Sequence, residues 1–584
     1  MNNIIKIQKW LKKNKIDVLI VVRTDEFLSE YIAPYAERLK WASGFSGSAG
    51  RAIIMHNSAT IFVDGRYTVQ VKQEVDKNYF SFDYLSNFFK FLKKNIKNKS
   101  LIGLDSNHHS KNEIEIIEKI INTSKSKINF FENNPIDRLW HNQPKKPFSK
   151  VFQHDLKYSG LKVNKKISQI KSILKSNNCH YFILTSLDSI AWLLNLRGND
   201  IKYTPFNLAY VIITPNKKIE LFINLKKIKN INIKINNFCN CNPIESINYF
   251  INKIPKNANI GLDKMKTPFL FEKICKKNSL NVKYLSDPCS NLKAQKNKVE
   301  LQGARNANIR DGISVTKFLY WLKNKIIFDK TSEISAANKI LSLRKSNKLF
   351  YSLSFETISA INHNAALPHY RVNKKTNLFF KKNCIYLIDS GGQYFDGTTD
   401  ITRTVIVGKP TKNQKLFFTR VLKGHIALAT CSFNKKTKGS SLDFIARKFL
   451  KEVGADYDHG TGHGVGSFSC VHEGPQKISK NKEKNNGVIK EGMILSNEPG
   501  YYKKGKYGIR IENLIITSKK SKTKLNFETI SWAPYDIDLI DTTLLIPSEI
   551  RWINWYHQQV FNNLSNKLDK KEKEWLLKVT QPIS

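Results

Sequence analysis

The sequence predicts three domains, in which two α/β domains precede an α+β domain. Short apolar runs alternate with amphipathic helical stretches in the first part of the chain, and the same alternation begins again near residue 158. From about residue 298, long helical stretches are followed by many short strands, which is typical of an α+β architecture. At 584 residues the chain is long enough for several domains, each with its own core.

The first predicted domain covers residues 1–157. Short apolar runs have the length of buried strands, and apolar residues at helical spacing predict two helices. The strands are residues 18–22, 52–55 and 60–63, and the helices are residues 84–97 and 111–125. The polar stretch 142–147 contains two prolines and is typical of a boundary between domains.

The second predicted domain covers residues 158–297 and repeats the order of elements seen in the first. A helix over 164–176 is followed by strands at residues 181–185, 208–214, 219–223 and 258–262. We therefore expect the same kind of α/β unit to be used twice, although the two sections show no close sequence repeat. The second boundary is predicted near residues 288–298.

The third predicted domain covers residues 298–584. Its helices are predicted at residues 298–325, 332–344, 412–432 and 441–453, and its main strands at 385–389, 400–407, 493–498 and 508–517. Each of these strands carries an acidic residue at or near one end. Helices packed outside antiparallel strands predict an α+β domain whose chemistry lies at strand ends.

The charge of the chain argues against a specific nucleic-acid partner. The formal net charge is +48, from 96 Lys and Arg against 48 Asp and Glu. Most of the basic residues are Lys, spread along the whole length, whereas a nucleic-acid binder usually clusters its charge and favours Arg. We expect only weak, salt-sensitive attraction to polyanions.

The apolar residues and the cysteines predict a cytoplasmic protein. The chain has no run of 18 apolar residues, so we expect no membrane-spanning helix, and its N-terminus lacks the pattern of a secretory signal. Cys239 and Cys241 are the only close pair among eight cysteines, and no second pair lies nearby to complete a zinc site. Reduced thiols are the expected state.

Five residues in the last third of the chain carry the chemistry of metal ligands: Asp389, Asp400, His463, Glu498 and Glu512. Two adjacent divalent ions suit hydrolysis, because they can share and acidify one water molecule. Any one of these side chains alone is more often solvated or turn-forming. All five together predict a metal-dependent hydrolase, since four converging carboxylates without a cation would repel one another strongly.

Strand pairing offers a way to bring the carboxylates together. Gly-rich segments separate Asp389 from Asp400, and Glu498 from Glu512, so each pair is expected at two strands joined by a turn. Paired strands lie about 4.8 Å apart, which suits metal ions separated by about 3.5–4 Å. His463 lies in a glycine-rich string, where backbone freedom is expected to let a loop residue approach a metal.

The hardness of the ligands favours Mn²⁺, with Co²⁺ or Fe²⁺ as alternatives, because Zn²⁺ usually takes more nitrogen or sulfur ligands. We expect Asp400 and Glu512 to bridge both ions and Asp389 to hold one of them. His463 and Glu498 would hold the other ion. A hydroxide between the ions would be the nucleophile, and Glu498 is the expected acceptor of its proton.

Four further side chains accompany the predicted ligands. Arg510 lies two residues before Glu512 and is expected to pair with a ligand carboxylate. His369, His459 and His472 are candidates for polarising the scissile carbonyl or for carrying a proton to the leaving amine. Packing in the core is the alternative role for each of these histidines.

The site residues lie in motifs that carry a family resemblance. The motifs are residues 389–391, 396–404, 459–467, 471–475, 497–501 and 508–513. In this order they resemble aminopeptidase P, the Xaa-Pro aminopeptidases of the pita-bread metallopeptidase family. Further similar strings are residues 43–50, 64–67, 190–198, 555–557 and 580–583. The resemblance therefore covers essentially the whole chain, in the long three-domain form.

The resemblance implies a pita-bread catalytic domain with two metal ions, usually Mn²⁺. It implies an exopeptidase that removes the residue ahead of proline, commonly dimeric and cytosolic, with the five ligands named above. His369, His459 and His472 match positions that handle substrate and protons. One local departure lies at residues 361–364, where we expect a smaller, glycine-containing loop and find Asn and His.

Two alternatives share the metal motifs. A prolidase has similar ligands but takes only Xaa-Pro dipeptides. A pita-bread domain that has lost catalysis would bind peptides or proteins, although such domains typically lose ligands and all five are present here. The Xaa-Pro bond itself calls for a dedicated enzyme, because this tertiary amide has no N–H and restricts the residue before it.

Overall fold

The structure is a computed structural model that describes residues 2–231, 235–480 and 487–584. Contacts divide the chain into two compact units, residues 1–154 with 161–290 and residues 155–160 with 291–584. The mixture of α/β sheets followed by an α+β unit agrees with the predicted fold class. The three-domain boundaries at residues 157 and 297 stay predictions.

The first unit contains two six-stranded sheets. The strands of the first sheet are β1 (Val18–Val22), β2 (Gly50–Met55), β3 (Ala59–Val63), β4 (Ser81–Tyr84), β5 (Leu101–Asp105) and β6 (Lys127–Phe131). Their order is β4-β3-β2-β1-β5-β6. The accompanying helices are α1 (Asn3–Lys13), α2 (Arg38–Ser43), α3 (Gln70–Glu74), α4 (Phe88–Asn95), α5 (Lys111–Asn122) and α6 (Pro135–Leu139).

The short strands β7 (Phe152–Gln153) and β9 (Leu196–Arg197) pair with each other, separately from the second six-stranded sheet. The strands of that sheet are β8 (Tyr181–Leu184), β10 (Ala209–Ile213), β11 (Ile219–Ile223), β12 (Cys239–Asn242), β13 (Asn259–Leu262) and β14 (Asn281–Tyr284). Their order is β12-β11-β10-β8-β13-β14. The helices are α8 (Val163–Ser176), α9 (Leu187–Leu194), α10 (Ile247–Asn252), α11 (Phe269–Lys277) and α12 (Cys289–Ala294), the last of which reaches the second unit.

The two sheets of the first unit share one topology. In the first sheet, β1 pairs antiparallel with β2 and parallel with β5. In the second sheet, β8 pairs antiparallel with β10 and parallel with β13. The outer pairs also correspond in order and direction. The predicted double use of one α/β unit is therefore confirmed.

The second unit begins with α7 (Leu156–Ser159) and is built around antiparallel sheets. Its other helices are α13 (Lys298–Asn324), α14 (Glu333–Lys345), α15 (Lys412–Thr430), α16 (Asp443–Lys451), α17 (Pro547–Leu564) and α18 (Lys570–Val579). The first strands are β15 (Phe350–Leu353), β16 (Ile358–Ile361), β17 (Cys384–Ser390), β18 (Gly392–Tyr394), β19 (Gly397–Thr398) and β20 (Ile401–Val407). They form the sheets β15-β18-β19 and β16-β17-β20.

The remaining strands of this unit form a larger sheet and one separate hairpin. They are β21 (Ser432–Asn434), β22 (Gly462–Gly464), β23 (Glu473–Ile478), β24 (Ile494–Asn497), β25 (Gly500–Lys503), β26 (Tyr507–Arg510), β27 (Asn513–Lys519) and β28 (Lys524–Thr529). The larger sheet has the order β21-β28-β27-β24-β22-β23, and β25 pairs with β26. The predicted ligands lie in or next to strands of this larger sheet and of the sheet β16-β17-β20.

The core of the second unit packs helices α15 and α17 against β26. Phe418 and Leu422 of α15 and Val560 of α17 are among its fully buried side chains, together with Ile509 of β26. Burying a side chain of this size stabilises the fold by about 1.5–3 kcal/mol. The helices thus hold the strand that carries Arg510 in a fixed place.

The strand predicted over 508–517 is wrong as a single element. The structure breaks it between β26 and β27, at Ile511 and Glu512. The N–H of Ile511 donates to Pro499 O, and the N–H of Glu512 donates to Thr402 O. These bonds leave the sheet ladder, and they turn Glu512 towards β20.

All eight cysteines are free. Among the described residues, every helix is too short or too polar to cross a lipid bilayer.

Candidate metal centre

Asp389 and Asp400 lie at one end of the antiparallel pair β17–β20. Asp389 is opposite Thr402 in the register, and Asp400 immediately precedes the first residue of β20. The connecting chain turns back through β18 and β19. A Cβ on Gly391 would lie 1.9 Å from Thr399 O, so only glycine permits this approach. The predicted turn between the two carboxylates is present.

Glu498 and Glu512 repeat this arrangement at the end of the pair β24–β27. The register of that pair ends with Asn497 opposite Asn513, and Glu498 follows the first while Glu512 precedes the second. The hairpin β25–β26 forms the connection. The two carboxylates therefore leave neighbouring strands at the same end.

Thr402 joins the two pairs. Thr402 and Glu512 form an isolated antiparallel bridge, in which the Glu512 N–H donates to Thr402 O at 3.2 Å. The Thr402 hydroxyl donates to Glu512 Oε2 at 2.7 Å. One residue of β20 thus brings the pair containing Asp400 against the pair containing Glu512.

His463 comes from a short strand, so its predicted loop location is wrong. It is the middle residue of β22, which pairs with β23 and β24. The glycines beside it are needed for close packing and not for left-handed backbone. A Cβ on Gly462 would lie 2.1 Å from Ser496 O, and one on Gly464 would lie 2.2 Å from Glu473 O.

The imidazole of His463 faces the carboxylates. Its Nδ1 lies 3.0 Å from Gly464 O and donates to it, which leaves Nε2 as the nitrogen available to a metal ion. Nε2 lies 3.5 Å from Asp400 Oδ2 and 3.6 Å from Glu498 Oε1. Ligand atoms of Asp400, His463 and Glu512 all lie within 4.8 Å of one another.

The electrostatics of this cluster call for cations. Burial raises the pKa of Asp400 and of Glu512 well above the usual range, and the neighbouring carboxylates, Asp389 and Glu498 among them, raise it further. Asp389 Oδ1 and Asp400 Oδ1 are buried without a hydrogen-bond partner among the described residues. Four carboxylates and one imidazole fit hard divalent ions, which would satisfy these oxygens.

Arg510 is the one cationic side chain that directly contacts the cluster among the described residues. Its Nη2 donates to Asp389 Oδ2 at 2.6 Å, so the predicted ion pair with a site carboxylate is present. Its Nη1 donates to Tyr502 Oη at 2.7 Å. Tyr502 Oη lies 2.8 Å from His459 Nε2 and donates to it, while His459 Nδ1 donates to Gly460 O.

The structure places two of the three predicted histidines beside the cluster. His459 Nδ1 lies 3.9 Å from Glu498 Oε2. The ring of His472 meets that of His463 edge to face, with centroids 4.4 Å apart. His369 is half-buried in the loop after the 3₁₀ helix Asn362–Ala366.

That loop is the place where the sequence departs from the expected pattern, and a buried carboxylate organises it. Asn362 has a φ of +48°, a conformation that asparagine tolerates better than most residues. Glu333, at the start of α14, accepts from Ile361 N at 2.6 Å and Leu378 N at 2.9 Å. It also accepts from Tyr370 Oη, next to His369, at 3.0 Å.

Glu333 was not predicted as part of the site, because an acidic residue in the first turn of a helix is ordinarily solvated. A Cβ on Gly508 would lie 1.8 Å from Ala365 O, so the glycine of β26 allows the loop to touch the strand that carries Arg510.

Models of known families match nearly the whole chain. Metallopeptidase family M24 matches residues 302–519, and the C-terminal region of this peptidase family matches residues 523–583. The creatinase/prolidase N-terminal domain matches twice, at residues 4–130 and 142–300.

Individual proteins show the same similarity. The chain is 36% identical to a probable Xaa-Pro aminopeptidase P of Coprinopsis cinerea, over 99% of this chain and 97% of that protein. It superposes with a TM-score of 0.93 and 32% identity on the X-prolyl aminopeptidase of Caenorhabditis elegans, described as a cytosolic enzyme with a di-nuclear active site, over 97% of this chain and 95% of that one. An Xaa-Pro dipeptidase from Bacillus anthracis shares the fold over 64% of this chain and 99% of its own, with a TM-score of 0.53 and 21% identity.

Proposed function

The chain belongs to metallopeptidase family M24, and on that premise we propose that it removes the N-terminal residue from peptides with proline at the second position. One observation carries the proposal: a chain similar from end to end to Xaa-Pro aminopeptidases brings its four carboxylates and His463 together at strand ends. The similarity to dipeptidases extends over the fold alone.

We propose that Asp389, Asp400, His463, Glu498 and Glu512 hold two divalent ions, with Mn²⁺ as the native metal. Two such ions supply a polarised carbonyl and an acidified water. Asp400, Glu512 and His463 offer ligand atoms that lie within 4.8 Å of one another, and the two carboxylates would be the ones shared between the ions. Asp389 contributes to one side of the site, and His463 and Glu498 contribute to the other.

The chain's own residues handle the protons. Glu498 is partly exposed towards the site, and its Oε1 accepts from Ser496 Oγ at 3.2 Å, so it is placed to take a proton from the attacking water. The leaving nitrogen of proline has no N–H of its own in the intact bond and must gain a proton. His459 and His472 lie beside the carboxylates and are suited to deliver it.

The cellular location, oligomeric state and partners are proposed from the similarity to the relatives. We propose a cytosolic homodimer without a specific nucleic-acid or membrane partner, acting on free peptides. The location is the one that describes the Caenorhabditis elegans enzyme.

A paired assay tests the activity. The purified protein with Mn²⁺ is given an Xaa-Pro-Yaa tripeptide, the Xaa-Pro dipeptide, and an Xaa-Ala-Yaa tripeptide as the matched control. We expect release of Xaa from the first alone, its loss with a chelator, and two metal ions per chain. Cleavage of the dipeptide only would mean a prolidase, and cleavage of neither would mean a peptide-binding protein.

A further inference from the structure

The C-terminal segment, residues 523–583, reaches the residues next to two predicted ligands. It contains the string Trp555-Tyr556-His557, to which the proposed chemistry assigns no role. Tyr535 and Tyr556 of this segment are 1% and 0% exposed, and their phenol groups are hydrogen-bonded inside the second unit. Buried hydroxyls that bond to strand ends act on the placement of those strands.

Hydrogen bonds through Arg403 of β20 link Tyr556 to the backbone of Glu512. The guanidinium is 1% exposed and donates to Glu512 O at 2.8 Å and to Asn513 Oδ1 at 2.9 Å. It also donates to Tyr556 Oη at 2.8 Å, and Tyr556 in turn donates to Ser531 O at 3.0 Å. Because a guanidinium is planar with donors in fixed directions, its acceptors set its orientation.

Tyr535 is hydrogen-bonded to the end of β27 directly and to the end of β24 through His425 of α15. Burial lowers the pKa of His425 to about 3, so the ring is neutral and has one donor and one acceptor. Nδ1 donates to Asn497 O at 3.1 Å, and Nε2 accepts from Tyr535 Oη at 3.1 Å. Tyr535 Oη accepts from Asn513 Nδ2 at 2.9 Å.

The two asparagines are the last register partners of β24 and β27. Glu498 follows one of them and Glu512 precedes the other, so whatever holds the asparagines sets where both carboxylates point. Asn497 Nδ2 also donates to His425 O at 2.9 Å, which ties the strand end to α15.

We propose that Tyr535 and Tyr556 are positioning residues for Glu498 and Glu512, acting through His425, Arg403 and the two asparagines. The C-terminal segment is then part of the metal site's support. This inference rests on the proposed metal-binding function. Groups that hold metal ligands in place typically change metal affinity or activity by about 10–100-fold when they are removed.

The test uses the full chain with its metal removed. Tyr535→Phe, Tyr556→Phe and the double variant each keep the rings and lose only hydroxyls. Mn²⁺ is titrated by calorimetry, and kcat and KM are measured on the tripeptide. We expect Mn²⁺ to bind at least tenfold more weakly in the double variant and kcat to fall, with a smaller change in KM.

Trp555→Phe is the matched control, because Trp555 lies on the same helix and is 47% exposed. It should bind Mn²⁺ like the unaltered protein. The thermal midpoint of each metal-free variant separates positioning from packing. A lowered midpoint with unchanged Mn²⁺ affinity would overturn the proposal, as would affinities within twofold of the unaltered protein.

Either single variant keeps the test valid if the double variant does not fold. Tyr535→Phe alone removes the hydroxyl that contacts both His425 and Asn513, and it leaves every acceptor of Arg403 in place. The direct contact of 3.3 Å between Asn513 Nδ2 and His425 Nε2 remains in this variant. Failure of the unaltered protein to bind Mn²⁺ or to cleave the tripeptide would overturn the proposed function. A functional unaltered protein with unaffected variants would overturn only the role of the two tyrosines.

Discussion

Arg510 and Asp389 form a buried ion pair of 2.6 Å across 121 residues of sequence. The pair leaves Asp389 Oδ1 without a hydrogen-bond partner among the described residues, so one oxygen is held by the guanidinium and the other is available to a metal. The same guanidinium contacts Tyr502, which contacts His459. Arg510 thus contacts the predicted ligand Asp389 directly and the predicted proton carrier His459 through Tyr502.

Arg510→Lys should lower kcat/KM by about 10–100-fold while the fold is retained. A lysine keeps the charge but lacks the planar fork that contacts Asp389 and Tyr502 together. The measurement is steady-state kinetics on the tripeptide. Arg305→Lys is the control, since Arg305 forms a partly exposed pair with Glu528. An Arg510→Lys enzyme within threefold of the unaltered one would contradict this role.

Asp400→Asn should abolish the binding of at least one ion and lower kcat by about 10³-fold or more, which corresponds to about 4 kcal/mol. The amide removes a negative charge from the centre of the carboxylate cluster. Metal analysis and kinetics on the same preparation check both effects. Asp538→Asn, at an exposed carboxylate, should change neither. Normal turnover in Asp400→Asn would refute the assignment of the ligands.

His369→Gln, His459→Gln and His472→Gln should each keep both ions and lower kcat by about 10²–10⁴-fold. Retained metal distinguishes these histidines from His463, whose substitution should remove metal. His363→Gln is the matched control, because His363 is exposed on the segment that leads to His369. Loss of metal in any of the three would show that the residue is a ligand and not a proton carrier.

Asp25 should make the first unit less stable as the pH rises. Burial, followed by the charge of Glu26, raises the pKa of Asp25 from 3.8 to about 6. Between about pH 4 and pH 6, the folded state therefore holds a proton on Asp25 that the unfolded state has lost. The stabilisation is complete below about pH 4 and is lost as the pH passes 6, a change of about 3 kcal/mol.

Asp25→Asn tests this because the amide imitates the protonated acid. Denaturant unfolding at pH 4.5 and pH 7.5 should show the variant close to the unaltered protein at the lower pH and more stable at the higher. Asp76→Asn, at an exposed carboxylate, should show no such difference. Equal pH dependence in the Asp25→Asn and unaltered proteins would be evidence against a raised pKa.

Local patterns predicted most helices and strands. The run at 18–22 matches β1, and the helix predicted over 164–176 begins and ends within one residue of α8. Apolar spacing reports burial within one element, and that information is local. It could not predict the break at Glu512, because the break depends on a hydrogen bond to Thr402, which is far away in the sequence.

Local sequence patterns could not predict which residues support the site. Arg403 resembles any strand residue, and His425 any helix residue, until the C-terminal tyrosines are brought against them. The glycines around His463 were identified, but their purpose was misread. They permit close contact between strands, a property of the neighbours and not of the glycines themselves.

The sequence by itself determined the fold class, the family and the five candidate ligands, because motifs and periodicity are written in consecutive residues. Only the tertiary structure decided how these side chains meet. Asp389 and Arg510, Thr402 and Glu512, and Tyr556 and Arg403 are each more than 100 residues apart. Their pairing depends on which strand ends the packed helices bring together, and buried polar groups then select partners that satisfy them.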